Sequence, residues 1–336
     1  MRKSMSSVIA KFAVCLTLGS TLLITGCSSI KIKLGMRVDL TKLPVTTMEA
    51  SLPKGAAIAP GEKSPLVLTF TQPDGKILVT EGKGKGKVLW SQITVTPTVV
   101  SVNKKGVLTL PRDPRLSDGK TGHVDITVLS HPDLHAALDL PLTYSYPFTS
   151  IYAGASGMNG TNGSDGSAGS NGLSGSMDPN NPSAGGDGGN GGNGTDGSNG
   201  SDGSDGPPVQ VQMTLRPGAH PLLQFGVTAP GHKERFYLVD PQGGTLTVSS
   251  QGGAGGSGGK GGAAGRGGSG GIGTPNGNNG SDGLSGSDGH SGSDGSGGSI
   301  TVTYDPQVKP FLSTLHLSNP GGRAPVFNEA TVAPLW

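Results

Sequence analysis

Glycine returns at every third position through four stretches of this chain, and no other feature limits its folding as strongly. The first stretch runs from Gly154 to Gly175, the second from Gly185 to Gly206, the third from Gly253 to Gly271 and the fourth from Gly277 to Gly298. Ser176 to Ala184 separates the first two, and Thr274-Pro275-Asn276 separates the last two; both are turn chemistry. A period of three matches neither an α-helix, at about 3.6 residues per turn, nor a strand, at about 2. It fits the extended left-handed helix with three residues per turn and no internal hydrogen bonds. On such a helix one glycine per turn leaves a bare edge along which another backbone can approach.

Two assemblies use that edge. Collagen joins three parallel chains and draws its stiffness from a high proline content, but the four runs contain no proline between their first and last glycines. A polyglycine II bundle packs helices of one chain side by side, and the turn at 176–184 allows the antiparallel neighbours that collagen cannot use. Parts of runs two and three carry two glycines per triplet, as in Gly185-Gly186-Asp187-Gly188-Gly189-Asn190 and Gly255-Gly256-Ser257-Gly258-Gly259-Lys260. Two bare edges admit two neighbours, so runs two and three are expected in the middle, with runs one and four outside. Disorder is the main rival, since low hydrophobicity with Gly, Ser, Asn and Asp marks unfolded segments and ordering a residue costs about 1–2 kcal/mol.

These stretches resemble the polyglycine II bundles of the snow flea antifreeze protein and of the glycine-rich tip domains of some phage adhesins. The matching residues are Gly-Gly-Asp-Gly-Gly-Asn-Gly-Gly-Asn-Gly at 185–194 and Gly-Arg-Gly-Gly-Ser-Gly-Gly-Ile-Gly-Thr-Pro-Asn-Gly at 265–277. The resemblance covers about a third of the chain and implies a local fold, not an activity. It lacks the disulfide bracing of the antifreeze protein.

The N-terminus addresses the chain. Arg2, Lys3 and Lys11 are basic, and Phe12 to Ile24 has the length of a signal-peptide core, too short for a lasting membrane span. Leu23-Ile24-Thr25-Gly26-Cys27 resembles the lipobox of bacterial lipoproteins. That resemblance implies removal of residues 1–26, acylation of Cys27 as the first mature residue and, with Ser28 in place of Asp, sorting to the outer rather than the inner membrane of a bacterial envelope. Of two cysteines, Cys15 leaves with the signal and Cys27 is consumed by lipid, so no disulfide is expected. Loss of the three basic signal residues takes the net charge from +2 to about −1, which does not suggest nucleic acid.

Residues 27–53 read as a lipidated tether. Residues 54–147 show short alternating or apolar runs at brief spacing: 66–71, 76–80, 88–95, 99–102, 107–110, 123–129 and 138–144. Strand number, the stretch Val99 to Leu108 and Thr127-Val128 before a closing strand resemble bacterial immunoglobulin-like modules, implying a spacer or display sandwich. Residues 148–336 read as a second β unit carrying the glycine inserts at 154–206 and 252–298. Pro241-Gln242-Gly243-Gly244 predicts a hairpin between Arg235–Asp240 and Thr245–Ser249. The expected fold class is all-β, a sandwich followed by a β unit whose two glycine-rich hairpins pack as a bundle. Each run of some 22 residues, at about 3.1 Å per residue, reaches roughly 70 Å.

Candidate sites are few. His131-Pro132-Asp133-Leu134-His135, with Asp125 nearby, is the best metal-like cluster, but two histidines four apart share a face on a helix and Pro132 argues for a loop. Asp282, Asp288 and Asp294 recur every sixth residue, about 19 Å apart on a threefold helix, which reads as a solvated edge rather than a row of calcium sites. Lys83, Lys85 and Lys87, separated by glycines, form a basic turn whose contact with anionic lipid is set against a solvated tip as the default. No catalytic constellation, metal site or cofactor motif is read, and the chain is taken as non-enzymatic. The expectation is a monomeric, lipid-anchored envelope protein with a structural or adhesive role toward a surface protein or glycan. Its candidate tips are Met177, Asp178, Asn180 and Asn181 on one turn and Ile272, Thr274, Pro275 and Asn276 on the other. A collagen-like trimer and an ice-binding protein are the alternatives, the latter opposed by charge at Lys260, Arg266, Asp282 and Asp288.

Overall fold

The computed structural model describes residues 31–32, 34–216, 218 and 220–336. Within them the chain is mostly β and divides into two compact units between Tyr144 and Ser145.

The first unit contains β1 (Thr47–Ser51), β2 (Lys63–Pro65), β3 (Val67–Thr71), β4 (Ile77–Val79), β5 (Ile93–Thr98), β6 (Ser101–Val102), β7 (Val107–Thr109), β8 (Gly122–Val128) and β9 (His131–Leu140). They form three antiparallel sheets in the orders β1-β3-β4, β2-β7-β6 and β5-β8-β9. Strict alternation builds the inner faces: Val124, Ile126 and Val128 of β8 point inward while His123, Asp125 and Thr127 stay on the outer side. The inward residues join Ile58, Leu68, Phe70, Leu108 and Leu140 in one core, each such side chain contributing about 1.5–3 kcal/mol on burial. Gly106 is required here: it has φ +69°, and a Cβ would overlap the Trp90 ring.

Three local expectations are corrected. Residues 38–53 are not tether but part of the first unit: β1 pairs with β3, and Leu40 and Met48 are buried in its core. The 88–95 run is not one strand, because a 3-10 turn at Trp90–Gln92 interrupts it. The turn sends Trp90 into the core and lets the Gln92 side chain accept the Leu40 amide and donate to Asp39. The segment containing His131 and His135 is not a loop but the start of β9, where a register shift between Thr127 and Val128 accommodates Pro132. Proline is tolerated because β9 is an edge strand.

The second unit contains β10 (Pro147–Ala153), β11 (Val209–Arg216), β12 (Leu222–Thr228), β13 (Arg235–Val239), β14 (Thr245–Gln251), β15 (Ile300–Tyr304), β16 (Leu315–Ser318) and β17 (Val326–Glu329). One sheet has the order β10-β14-β16 with parallel pairing throughout. The other has the order β13-β12-β11-β15-β17 and is mixed. Tyr152, Met213, Leu223, Phe225, Val248 and Val302 are buried in this unit. The expected hairpin at Pro241–Gly244 is therefore an arch, since β13 and β14 belong to different sheets. A turn does form, with Gly244 N–H donating to Asp240 O, but β14 takes β10 as its parallel partner. The C-terminal tail lies on the mixed sheet: Thr214 Oγ1 donates to Val332 O, and the Trp336 ring meets Phe236 edge-on at 5.8 Å.

Candidate functional site

The glycine runs grow directly out of the second unit's strands. β10 continues into run one and β14 into run three; run two leads into β11 and run four into β15. Face-to-face sheets stand about 10 Å apart because side chains fill the gap. At this end of the unit the inward residues are Tyr152 of β10 and its partner Ser250 of β14, both buried. Ser250 Oγ donates across the gap to Pro207 O at 2.7 Å. Beyond that point the facing residues are glycine, and the two layers approach closely enough to hydrogen-bond.

The strand pairs also set the register of the runs. β10 and β14 pair residue i with i+98, from Pro147↔Thr245 to Ala153↔Gln251, and Asn159 to Ser257 in runs one and three keeps the same separation of 98. β11 pairs with β15 beginning at Val209↔Ile300, and Asp187 to Asn278 in runs two and four has that separation, 91.

Within each run, the glycine amides are bonded sideways. Gly154 through Gly175 of run one donate in steps of three to Gln251 through Ile272, a parallel ladder at 2.7–2.8 Å. Run two donates on two sides: Gly185 through Gly206 to Pro275 through Ser296 of run four in parallel, and Gly186 through Ser204 to Leu173 through Ala155 of run one antiparallel. Gly253 through Gly271 of run three donate antiparallel to run two, and Gly277 through Gly295 of run four donate antiparallel to run three. Runs two and three thus each bond to all three others, whereas runs one and four are not bonded to each other in these ladders. Glycine is demanded by space, not by dihedral angle. Among the described residues every positive-φ glycine lies outside the runs, yet a Cβ at Gly163, Gly194 or Gly262 would overlap a neighbouring carbonyl.

The third residue of each triplet adds a second set of bonds. Asp187, Asn190, Asn193, Asp196, Asn199, Asp202 and Asp205 of run two each accept a run-four amide at 2.6–2.9 Å. Asn159, Asn162, Asp165 and Asn171 of run one do the same for run three. Asp282, Asp288 and Asp294 accept the amides of Gly267, Gly261 and Gly255, so their edge is not merely solvated; one oxygen of each caps a backbone N–H. Ala168 interrupts the run-one series, and the Arg266 amide opposite it has no side-chain acceptor among the described residues. Paired glycines also prove unnecessary along all of run two. Thr195, Ser198, Ser201 and Ser204 take the second-glycine position, and their hydroxyls accept run-one amides at 2.7–2.8 Å. Sequence reasoning missed both the hydroxyl and the Asx rungs, although an Asx residue before successive ladder glycines was the visible signal of the latter.

Both turns meet at the far end. Thr274 N–H donates to Ser183 O, Gly175 N–H to Ile272 O and Gly185 N–H to Pro275 O. The Met177–Asn181 turn is fixed by Asn180 and Asn181 amides bonding to Asp178, while Asn276 Oδ1 accepts the Gly273 amide. Met177 is 67 % and Ile272 59 % exposed, and Leu173, which the sequence did not single out, is 83 % exposed. Thr274 and Pro275 are exposed beside them.

His131 and His135 do not converge. His131 Nε2 lies 3.0 Å from Leu43 O and Nδ1 bonds Ser130, whereas His135 Nε2 is 3.3 Å from Asp125 Oδ1. His123, not noticed in the sequence, shares Asp125 at 3.3 Å and meets Asp139 at 2.7 Å. The bond to Asp139, then that to Asp125, raises the His123 pKa above its ordinary value. Among the described residues no group of three or more His, Cys, Asp or Glu is arranged to hold a metal ion. Cys27 and the signal segment lie outside the described residues. Comparison with protein-family models, with curated proteins and with solved structures gives no match to this chain.

Proposed function

We propose that this chain is a lipid-anchored protein of the bacterial cell envelope, outer membrane rather than inner, whose four glycine runs form a polyglycine II bundle with a structural or adhesive surface role. The observation that carries the adhesive role is the union of the two turns at one end, where backbone bonds between 175–185 and 272–275 gather exposed Leu173, Met177 and Ile272. Solvent-exposed apolar side chains placed together on a bonded scaffold are what a protein or glycan partner can use without an ordering cost. The antiparallel ladders within one molecule favour a monomeric bundle over a collagen-like trimer. The first unit, a set of antiparallel sheets on a single core, suits an immunoglobulin-like spacer.

Combined replacement Leu173→Ser, Met177→Ser and Ile272→Ser should abolish attachment to the partner surface while leaving the protein in the membrane fraction. Unchanged attachment would remove the adhesive role. Separately, Cys27→Ser should release the chain from that fraction and eliminate the acyl mass.

A further inference from the structure

We propose that the glycine-lysine turn at 82–87 and the segment 31–37 beside it form a second membrane contact, a basic surface that docks on anionic phospholipid headgroups. The two stretches are distant in sequence but lie together: Val38 N–H donates to Lys87 O at 3.0 Å, Lys87 Nζ donates to Gly35 O at 2.9 Å, and Arg37 pairs with Glu81 at 2.9 Å. The Met36 and Arg37 amides both reach back to Lys31 O, which folds Lys31 onto the same place.

Charge selects the ligand. Residues 31–39 and 81–87 together carry six Lys or Arg and two carboxylates. Both carboxylates are engaged, Glu81 by Arg37 and Asp39 by the Thr41 amide and hydroxyl. Lys31, Lys83 and Lys85 are exposed and make no ion pair among the described residues. The turn is built to hold them out, with Gly82 at φ +79°, Lys85 at φ 54°, and Gly86 so close to Val79 O that a Cβ would overlap it. Leu34 and Met36, 68 % and 52 % exposed on the adjoining segment, supply apolar side chains that can enter the headgroup layer.

Position selects the source of the phosphate. The inference rests on acylation of Cys27, four residues before Lys31, which places Lys31 within about 14 Å of the lipidated residue even in a fully extended chain. Basic residues act on an anionic bilayer over about a Debye length, roughly 8–10 Å at physiological salt. A basic turn tied to that segment therefore faces lipid, and acyl chain and basic patch act as two signals.

The test uses the chain from residue 27 onward with Cys27→Ser, so that it carries no acyl group and the outcome is independent of lipidation. Its partition is measured on vesicles of phosphatidylcholine alone and with one third phosphatidylglycerol. Binding is expected only on the anionic vesicles and should fall with added salt. The pair Lys83→Gln and Lys85→Gln should weaken it about thirtyfold, from about 1 kcal/mol per basic residue at a membrane surface. The pair Lys104→Gln and Lys105→Gln, in the turn between β6 and β7, should leave it unchanged, with thermal melts checking that all forms are folded. Equal binding to both vesicle types, no binding to either, or an equal loss in the two variants would overturn the proposal. Intact mass of the membrane-extracted full chain reports Cys27 acylation on its own.

Discussion

Substituting Gly262 by Ala tests whether bare backbone holds the bundle together. Gly262 is buried in run three, donates to Thr195 O and accepts from Gly286 N–H. Its backbone would accept alanine, since its φ is not in the left-handed region, but the added Cβ would overlap the Ser164 carbonyl. Run one must then retreat at that level, opening Gly163 N–H to Lys260 O at 2.7 Å and Ala263 N–H to Asp165 Oδ1 at 2.8 Å, and straining Gly262 N–H to Thr195 O at 2.8 Å. At about 0.5–1.5 kcal/mol per bond, three bonds lose about 1.5–4.5 kcal/mol. The narrower unfolded ensemble of alanine returns about 0.4–1 kcal/mol, so a net loss of about 1–4 kcal/mol is expected.

The informative comparison is Gly189→Ser. There the new Cβ stands 2.9 Å from the rotatable Ser170 Oγ, and its hydroxyl would occupy the role of Ser198, which accepts the Thr161 amide at 2.8 Å. That replacement should be neutral or stabilising by up to about 1.5 kcal/mol. Urea melts of the full chain, paired with hydrogen exchange at the run amides, read both variants. Shifts of equal sign, or no shift and unprotected amides in either, would falsify the close-contact account.

Two further outcomes follow from single side chains. Ala168→Asn should give the Arg266 amide the acceptor that its neighbours have, slowing exchange at that amide and adding about 0.5–1.5 kcal/mol in a urea melt. His123, whose pKa is raised by Asp139 and Asp125, should contribute stability that is full below its ordinary value of 6.5 and is lost as pH rises through the raised value. The melting temperature of the parent chain should therefore exceed that of His123→Gln in acid, and the gap should close at alkaline pH.

Much of the second unit was visible locally. The triplet period, the two turns and the doubled glycines follow from residue type, because a bare edge is needed wherever backbones touch. The hydroxyls of Thr195 to Ser204 were not legible, since nothing adjacent in sequence says that run-one amides lie opposite them. His123 was missed for a similar reason: its partners Asp139 and Asp125 reach it through strand pairing and alternation, whereas His131 and His135 are already neighbours in the sequence. The arch at Pro241–Gly244 looked like a hairpin because a four-residue turn has the same chemistry whether its strands pair with each other or with strangers.

By itself, the amino-acid order determined that this chain is β-rich, that four stretches leave a bare backbone at every third residue, and where they reverse. Only the tertiary structure decided that run one lies parallel to run three and run two to run four, and in which register. Those alignments are inherited from β10 with β14 and from β11 with β15, and a pairing between residues 98 or 91 positions apart depends on a packed core rather than on any local preference.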